Sequence, residues 1–450
     1  MKVTLWITGL LGVLFFYLGK TVGLNNIYSI IPFVMMLLSI AIIPLINGKW
    51  WHHNFSKVSI IIGVPMALAV MAFNWEWLYH TSLEYMAFIS LLASLFIVSG
   101  GILIKENLRV SPYANSSILL IGAILASLIG TTGASMLLIR PMIRLNKGRK
   151  NKVHVIVFFI FIIANIGGSL TPFGDPPLFL GFLKGVPFFW TLKLFPAWLF
   201  NTAVLTTLFF IIDSWLLSRE HTHNVKELPK GRMLEIDGKI NFLFLLGIIV
   251  GVLIYSKLPS NMNLLLKDSI QIIIFGFMAF LSIRFTPKKY REKNGFSWFP
   301  IKEVAILFAA IFASMIPVLK LLESNGQSLG VHEPWQFFWT TGILSSFLDN
   351  APTYLTFLST AKTVSIDFIA QGIPFVTLND GGMIAENLLL AISMGAVFMG
   401  ANTYIGNGPN FMVKSIAEEA KIAMPSFFGY MLWSVLILIP LFILNTILFI

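Results

Sequence analysis

Two aspartates stand where an apolar chain has little use for them. Asp175 lies in GSLTPFGDPPL (168–178), shortly after the run VIVFFIFIIAN, and Asp349 lies in SSFLDNAPTYL (345–355). An acid at bilayer depth costs at least about 2.5–3.5 kcal/mol, so it is protonated, paired or bound to a cation. A carboxylate that alternates between a proton and a cation is an exchange site. Neutral oxygens surround the two acids in sequence: Thr131, Thr132, Ser169, Thr171, Asn350, Asn402, Thr403, Asn407 and Asn410. Hard cations such as sodium take oxygen ligands, by analogy with calcium and magnesium. The expectation is that Asp175 and Asp349 carry proton and sodium. The hydroxyls and amides, with the interrupted backbone around Gly133, Gly174, Pro352, Thr353 and Gly406, would complete the coordination.

Four interruptions would position these groups. GSLTPFGDPPL has a counterpart in GANTYIGNGPN (400–410). Gly168 aligns with Gly400, Thr171 with Thr403, Gly174 with Gly406, Asp175 with Asn407 and Pro177 with Pro409. Glycine and proline interrupt the helical ladder and free backbone N–H and C=O groups. In hydrocarbon each free group costs several kcal/mol unless it lines a polar cavity or binds something. A packing kink explains one such break; four in matched places fit the discontinuous helices of a secondary transporter, with dipole ends and bare carbonyls facing one point.

The composition requires lipid as solvent. Of 450 residues, 57% are hydrophobic and 11% charged, against about 25% charged in soluble domains. Mean hydropathy is +0.83. The long apolar runs lack period-2 alternation and predict helices of about 20 residues rather than a barrel. The net charge of +11 reads as the positive-inside bias rather than nucleic-acid binding, since no soluble basic domain is visible. Without cysteine there is no disulfide or thiolate metal site. No Walker A, GxSxG or HExxH pattern occurs, so neither a bound nucleotide nor an enzyme activity is indicated.

Basic segments 140–152, 219–239 and 284–302 hold 17 of the 31 lysines and arginines and should be cytoplasmic. NWEWLYHTSL (74–83) holds none and reads as an outer loop with interfacial aromatics. The expected spans are 4–19, 27–47, 58–73, 84–104, 153–183, 193–217, 240–256, 268–284, 303–319, 388–413 and 427–449. Between cytoplasmic 105–109 and Arg140 the chain must enter and leave on one side. Segment 113–139 is therefore a re-entrant hairpin with limbs of about 13 residues and its tip at Gly130-Thr131-Thr132-Gly133. Segment 335–361 repeats the plan around Asp349-Asn350-Ala351-Pro352-Thr353. The fold expected is an all-α integral membrane protein: about 11 transmembrane helices plus two re-entrant hairpins, in an inverted-topology repeat with two broken helices. Its parts are an extra retained helix (1–26), a first repeat (27–218), a cytoplasmic linker (219–239) and a second repeat (240–450). The N-terminus would be cytoplasmic and the C-terminus outside.

Other charged residues read more plainly. Asp213 is near a helix end and fits an interfacial role. Arg140 reads as a cytoplasmic anchor that could also face an anion. Lys184 could snorkel outward or pair with Asp175. The pairs His52/His53 and His221/His223 read as solvated loop residues.

The stretches GTTGASMLLIRP, GGSLTPFGDPP, SSFLDNAPTYL and GANTYIGNGPN resemble the ion transporter superfamily, of sodium/proton antiporters and of citrate, divalent-anion and arsenite carriers, from about residue 27 to 450. GGSLTPFGDPP with FLDNAP is most similar to the sodium/proton antiporter branch. The resemblance implies roles for Asp175, Asp349, Asn350 and Pro352, sodium and protons as partners, no cofactor, a homodimer, and a place in the cell inner membrane. The citrate branch has Ser-Asn-Thr triplets in both hairpins; this chain has Thr131-Thr132-Gly133 and Asp349-Asn350-Ala351 instead. A sodium-coupled carrier of anions such as citrate, a dicarboxylate or arsenite uses the same scaffold and stands as the alternative.

Overall fold

A computed structural model describes residues 27–106, 110–220, 234–258, 262–325 and 329–450. The expected helix 4–19 and the pair His221/His223 lie outside the described residues. Among those described, nine helices are long and apolar enough to cross a membrane. The architecture is all-α, with two short two-stranded ribbons among the described residues.

Helix α1 (Ile31–Phe73) is two apolar helices joined at Asn47, whose φ of −149° and ψ of 80° break the helical path. Its second part is a span from Ile46 to Phe73, longer than the expected 58–73. Helix α2 (Trp75–Ser99) corrects a second expectation: 75–83 is helix, not loop. Asn74 explains the difference, because its side chain caps the new helix by accepting from Glu76 N at 3.1 Å and Trp77 N at 3.4 Å, the usual role of asparagine at such a start.

The first hairpin pairs α3 (Pro112–Ile129) with α4 (Thr131–Leu145). A single residue, Gly130, turns the chain, with φ of +82° that a side-chain-bearing residue rarely adopts. The limbs have 18 and 15 residues, not 13, and the second continues through Arg140 and Arg144. The helical hairpin itself forms. Asn115 Nδ2 donates to Asn146 Oδ1 at 3.1 Å and Asn146 Nδ2 donates back to Asn115 Oδ1 at 2.8 Å, so both limbs end at one level.

The first broken helix comprises α5 (Val153–Ile162), a 3-10 turn (Ile166–Leu170) and α6 (Pro176–Lys184). A 3-10 turn (Phe188–Leu194) leads into α7 (Phe195–Ser218). Then come α8 (Ile240–Lys257), α9 (Leu264–Phe285), the short α10 (Lys288–Lys293) and α11 (Phe299–Asn325). The second hairpin is α12 (Pro334–Phe347) and α13 (Asn350–Ala370), which runs past the expected end at 361. The second broken helix is α14 (Glu386–Met399), a 3-10 turn (Gly400–Asn402) and α15 (Gly408–Glu419); α16 (Phe427–Phe449) closes the chain.

The basic segments meet at one end. Strand β1 (Leu103–Glu106) pairs antiparallel with β2 (Leu234–Asp237), inside the stretch expected to be a plain linker. Asn294 Nδ2 donates to Gly100 O at 3.1 Å, and Arg144 Nη2 to Ile104 O at 3.2 Å. The other end holds strands β3 (Phe375–Thr377) and β4 (Met383–Ala385) and a set of ion pairs. Lys184 binds both oxygens of Glu84 at 2.8 Å, and Lys362 reaches Glu323 at 3.2 Å and also Asp380. Lys184 therefore pairs with Glu84 and not with Asp175. Burial works against the Asp380 charge, but the hydrogen bond and charge of Lys362 outweigh it and hold the carboxyl below its usual range.

Candidate transport site

The four interruptions converge on Asp175. It ends the first break, in extended backbone (φ −144°, ψ 143°), one residue before Pro176 starts α6. Its side chain is free of capping duties there and is 1% exposed. Thr131 Oγ1, from the first hairpin tip, donates to Asp175 Oδ1 at 2.9 Å. Asn407 Nδ2, from the second break, donates to the same oxygen at 3.0 Å. Asn350 Nδ2, from the second hairpin tip, donates to Oδ2 at 2.6 Å. Residues 44, 175 and 232 positions away in sequence thus bind one carboxylate. None of these partners carries a charge.

Asn165 holds the partners in place, and the sequence reading overlooked it. Its Oδ1 accepts from Asn407 Nδ2 at 3.3 Å, and its Nδ2 donates to Asn410 Oδ1 at 2.7 Å and Ile160 O at 2.8 Å. Asn410 Nδ2 in turn donates to Gly400 O at 2.8 Å and Thr403 O at 2.9 Å. A polar residue closing the apolar run VIVFFIFIIAN was the one available signal.

Asp349 has a different setting. It caps α13 by accepting from Ala351 N at 3.2 Å, and Thr353 Oγ1 donates to its backbone O at 2.9 Å. Asp349 lies within electrostatic reach of Asp175, but the two do not share donors.

The remaining expected residues brace the site rather than face its carboxylate. In the first half Ser127 Oγ donates to Gly167 O at 2.5 Å and accepts from Leu170 N at 3.1 Å, while Thr171 Oγ1 donates to Ser127 O. In the second half Ser346 Oγ donates to Met399 O at 3.0 Å and accepts from Asn402 Nδ2 at 2.9 Å, while Thr403 Oγ1 donates to Ser346 O. Even the short turn repeats: Phe173 N donates to Thr171 Oγ1 and Ile405 N to Thr403 Oγ1, both at 3.2 Å. Thr171 and Thr403 are thus structural hydroxyls, and Ser169 turns back to Ile166 O at 3.0 Å. Gly174 lets the break fold tightly: its O accepts from Thr131 N at 2.8 Å, and a Cβ on it would meet Gly168 Cα at 2.9 Å. Gly406 repeats this, its Cβ position lying 2.6 Å from Gly400 O. Pro352 contributes its carbonyl to Thr356 Oγ1 at 2.9 Å within α13. Thr132 and Gly133 line a cleft with Leu92, Phe96, Phe173 and Val304.

A family model described as "Putative citrate transport" matches residues 23–450. The chain belongs to this family. No curated protein matches it. Membership makes this citrate-transport-family chain a multi-pass membrane protein of transporter type, in agreement with the resemblance read from the four motifs.

The amide oxygen of Asn350, whose Nδ2 binds Asp175, is buried without a donor, as is that of Asn402 beside Ser346. Buried acceptors without partners are costly. Among the described residues no group of three or more His, Asp or Glu side chains is placed to hold a metal ion.

Asp213 is a correction. It does not reach the surface but is fully buried, at 0% exposure. Asn115 Nδ2 at 2.9 Å, His154 Nε2 at 2.8 Å and Arg149 Nη1 all meet its carboxylate. Glu220 Oε2 lies 3.7 Å from Arg149 Nε. This cluster anchors the base of the first hairpin at the basic end.

Proposed function

We propose that the protein is a secondary transporter that exchanges sodium ions for protons by alternating access. One observation carries the reading: an enclosed carboxylate with three neutral donors and, among the described residues, no basic partner. In a dry setting such a group needs a proton or a cation to neutralise it, and it can hold only one at a time. Competition for Asp175 would therefore couple the two fluxes. Asp349, within reach, would tune the balance.

In this reading the two halves form an inverted-topology repeat, which the matched Ser127 and Ser346 contacts support. The basic end is cytoplasmic by the positive-inside rule, in a cell inner membrane. The test is reconstitution in liposomes with a trapped pH-sensitive dye. An imposed sodium gradient should move protons, with lithium and potassium run in parallel; a flat dye signal with all three ions refutes exchange.

The second reading is a sodium-coupled carrier of anions, citrate among them, and the family match favours it. Uptake of labelled citrate that requires a sodium gradient distinguishes it. Either way, Asn350→Ala removes the 2.6 Å donor to Asp175. A hydrogen bond to a charged group contributes about 1.5–3 kcal/mol. The sodium concentration for half-maximal transport is expected to rise at least about tenfold; an unchanged value would exclude Asn350 from the site.

A further inference from the structure

We propose that a cavity at the basic end is a second binding site, for a multiply charged oxyanion, carboxylate or phosphate. It is separate from the Asp175 site and does not depend on which ions that site exchanges. The cavity holds about 290 Å³ and lies between α4 and α15, lined by Arg140, Ile143 and Arg144 on one side and Ile416, Glu419 and Ala420 on the other. That volume is at the low end of the roughly 300–1,000 Å³ range of small-molecule pockets. It suits a compact metabolite or a headgroup rather than a nucleotide.

Arg140 is the group that points to a ligand. Its Nη1 is buried with no hydrogen-bond partner. The guanidinium packs on Gly295, where a Cβ would come within 2.8 Å of Arg140 Cζ and where φ is +59°. The turn thus makes room for Arg140 at the cost of a residue that only glycine fits well. A plain anchoring role explains Arg144, which is exposed and donates to Ile104 O at 3.2 Å. It does not explain a buried guanidinium nitrogen without an acceptor, which is expensive. An oxyanion supplies that acceptor, and planar guanidinium groups favour carboxylate and phosphate through paired hydrogen bonds. Glu419 on the facing wall opposes any anion. The ligand must therefore carry enough charge and enough oxygens to engage both arginines.

The position of the cavity ties it to the site. Arg140 is nine residues beyond Thr131 on α4, about 13 Å along the helix axis. The facing helix, α15, starts directly after Asn407. An anion held between them touches the two helices whose first turns grip Asp175.

The test uses the full chain purified in a neutral detergent. Citrate and inorganic phosphate are titrated calorimetrically against wild type, Arg140→Gln, Arg140→Lys and Arg144→Gln. A second arm measures thermal stabilisation in phosphatidylcholine nanodiscs with and without an anionic lipid. The expected result is a response weakened at least tenfold by Arg140→Gln, less by Arg140→Lys, with Arg144→Gln in between. Response to the solutes identifies a soluble anion; response confined to the lipid arm identifies a headgroup. Absence of an arginine-dependent response in both arms overturns the proposal, as does citrate binding that none of the three variants alters. Melting curves of each variant show that it is folded. Sodium-driven proton movement, measured on the same preparation, reports separately on the exchange reading.

Discussion

Sodium-driven proton movement is expected to fall to background in Asp175→Asn. The substitution conserves volume, so the walls of the site remain. What changes is the chemistry. The new amide cannot titrate and carries no charge for sodium. Its NH2 group would also point at a donor, since both carboxylate oxygens now accept, from Thr131 and Asn407 on one side and Asn350 on the other. One of those donors loses its acceptor inside a closed site. In inverted vesicles carrying a pH dye the rate should drop at least about 100-fold, the scale of one or two lost charged hydrogen bonds. Asp349→Asn is the comparison. Asparagine caps a helix as well as aspartate, so the start of α13 survives and only the charge is removed. Its rate should fall less than that of Asp175→Asn. Full exchange in Asp175→Asn would remove the carboxylate from the mechanism.

The largest stability change is expected in Asp213→Ala. Arg149 and His154 would be left in a buried cluster without their shared acceptor, and Asn115 would lose one of its partners. Removing one member of a buried ion pair costs about 3–5 kcal/mol, because the orphaned charge stays buried. The melting temperature in detergent should fall by several degrees and expression should drop with it. Asn115→Ala, which deletes only neutral contacts, should cost about 1–2 kcal/mol. Equal melting of Asp213→Ala and wild type would mean that the cluster opens to water.

The features legible in sequence were those that violate helical chemistry. Glycine and proline inside apolar runs marked both breaks and both tips, and Asp175, Asn350, Asn407 and Thr131 all fall within them. Basic clusters marked the shared end. What escaped needed distance information. Asn165 resembles an ordinary end to a helix, and its partner Asn410 lies 245 residues away. The burial of Asp213 is not visible in sequence because its partners Asn115, Arg149 and His154 lie 98, 64 and 59 positions away. Helix starts also went astray where one polar side chain decided the matter. NWEWLYHTSL reads as loop by composition, yet Asn74 is the cap that begins α2.

Ser127 and Ser346 carry one more consequence. Each fastens a hairpin to its own broken helix at three points, using hydroxyl and carbonyl together. Neither hairpin can therefore swing like a trapdoor without tearing those bonds in a dry interior. Under the proposed exchange, cargo at Asp175 would leave only when its walls leave with it, which would make the carrier a lift rather than a valve.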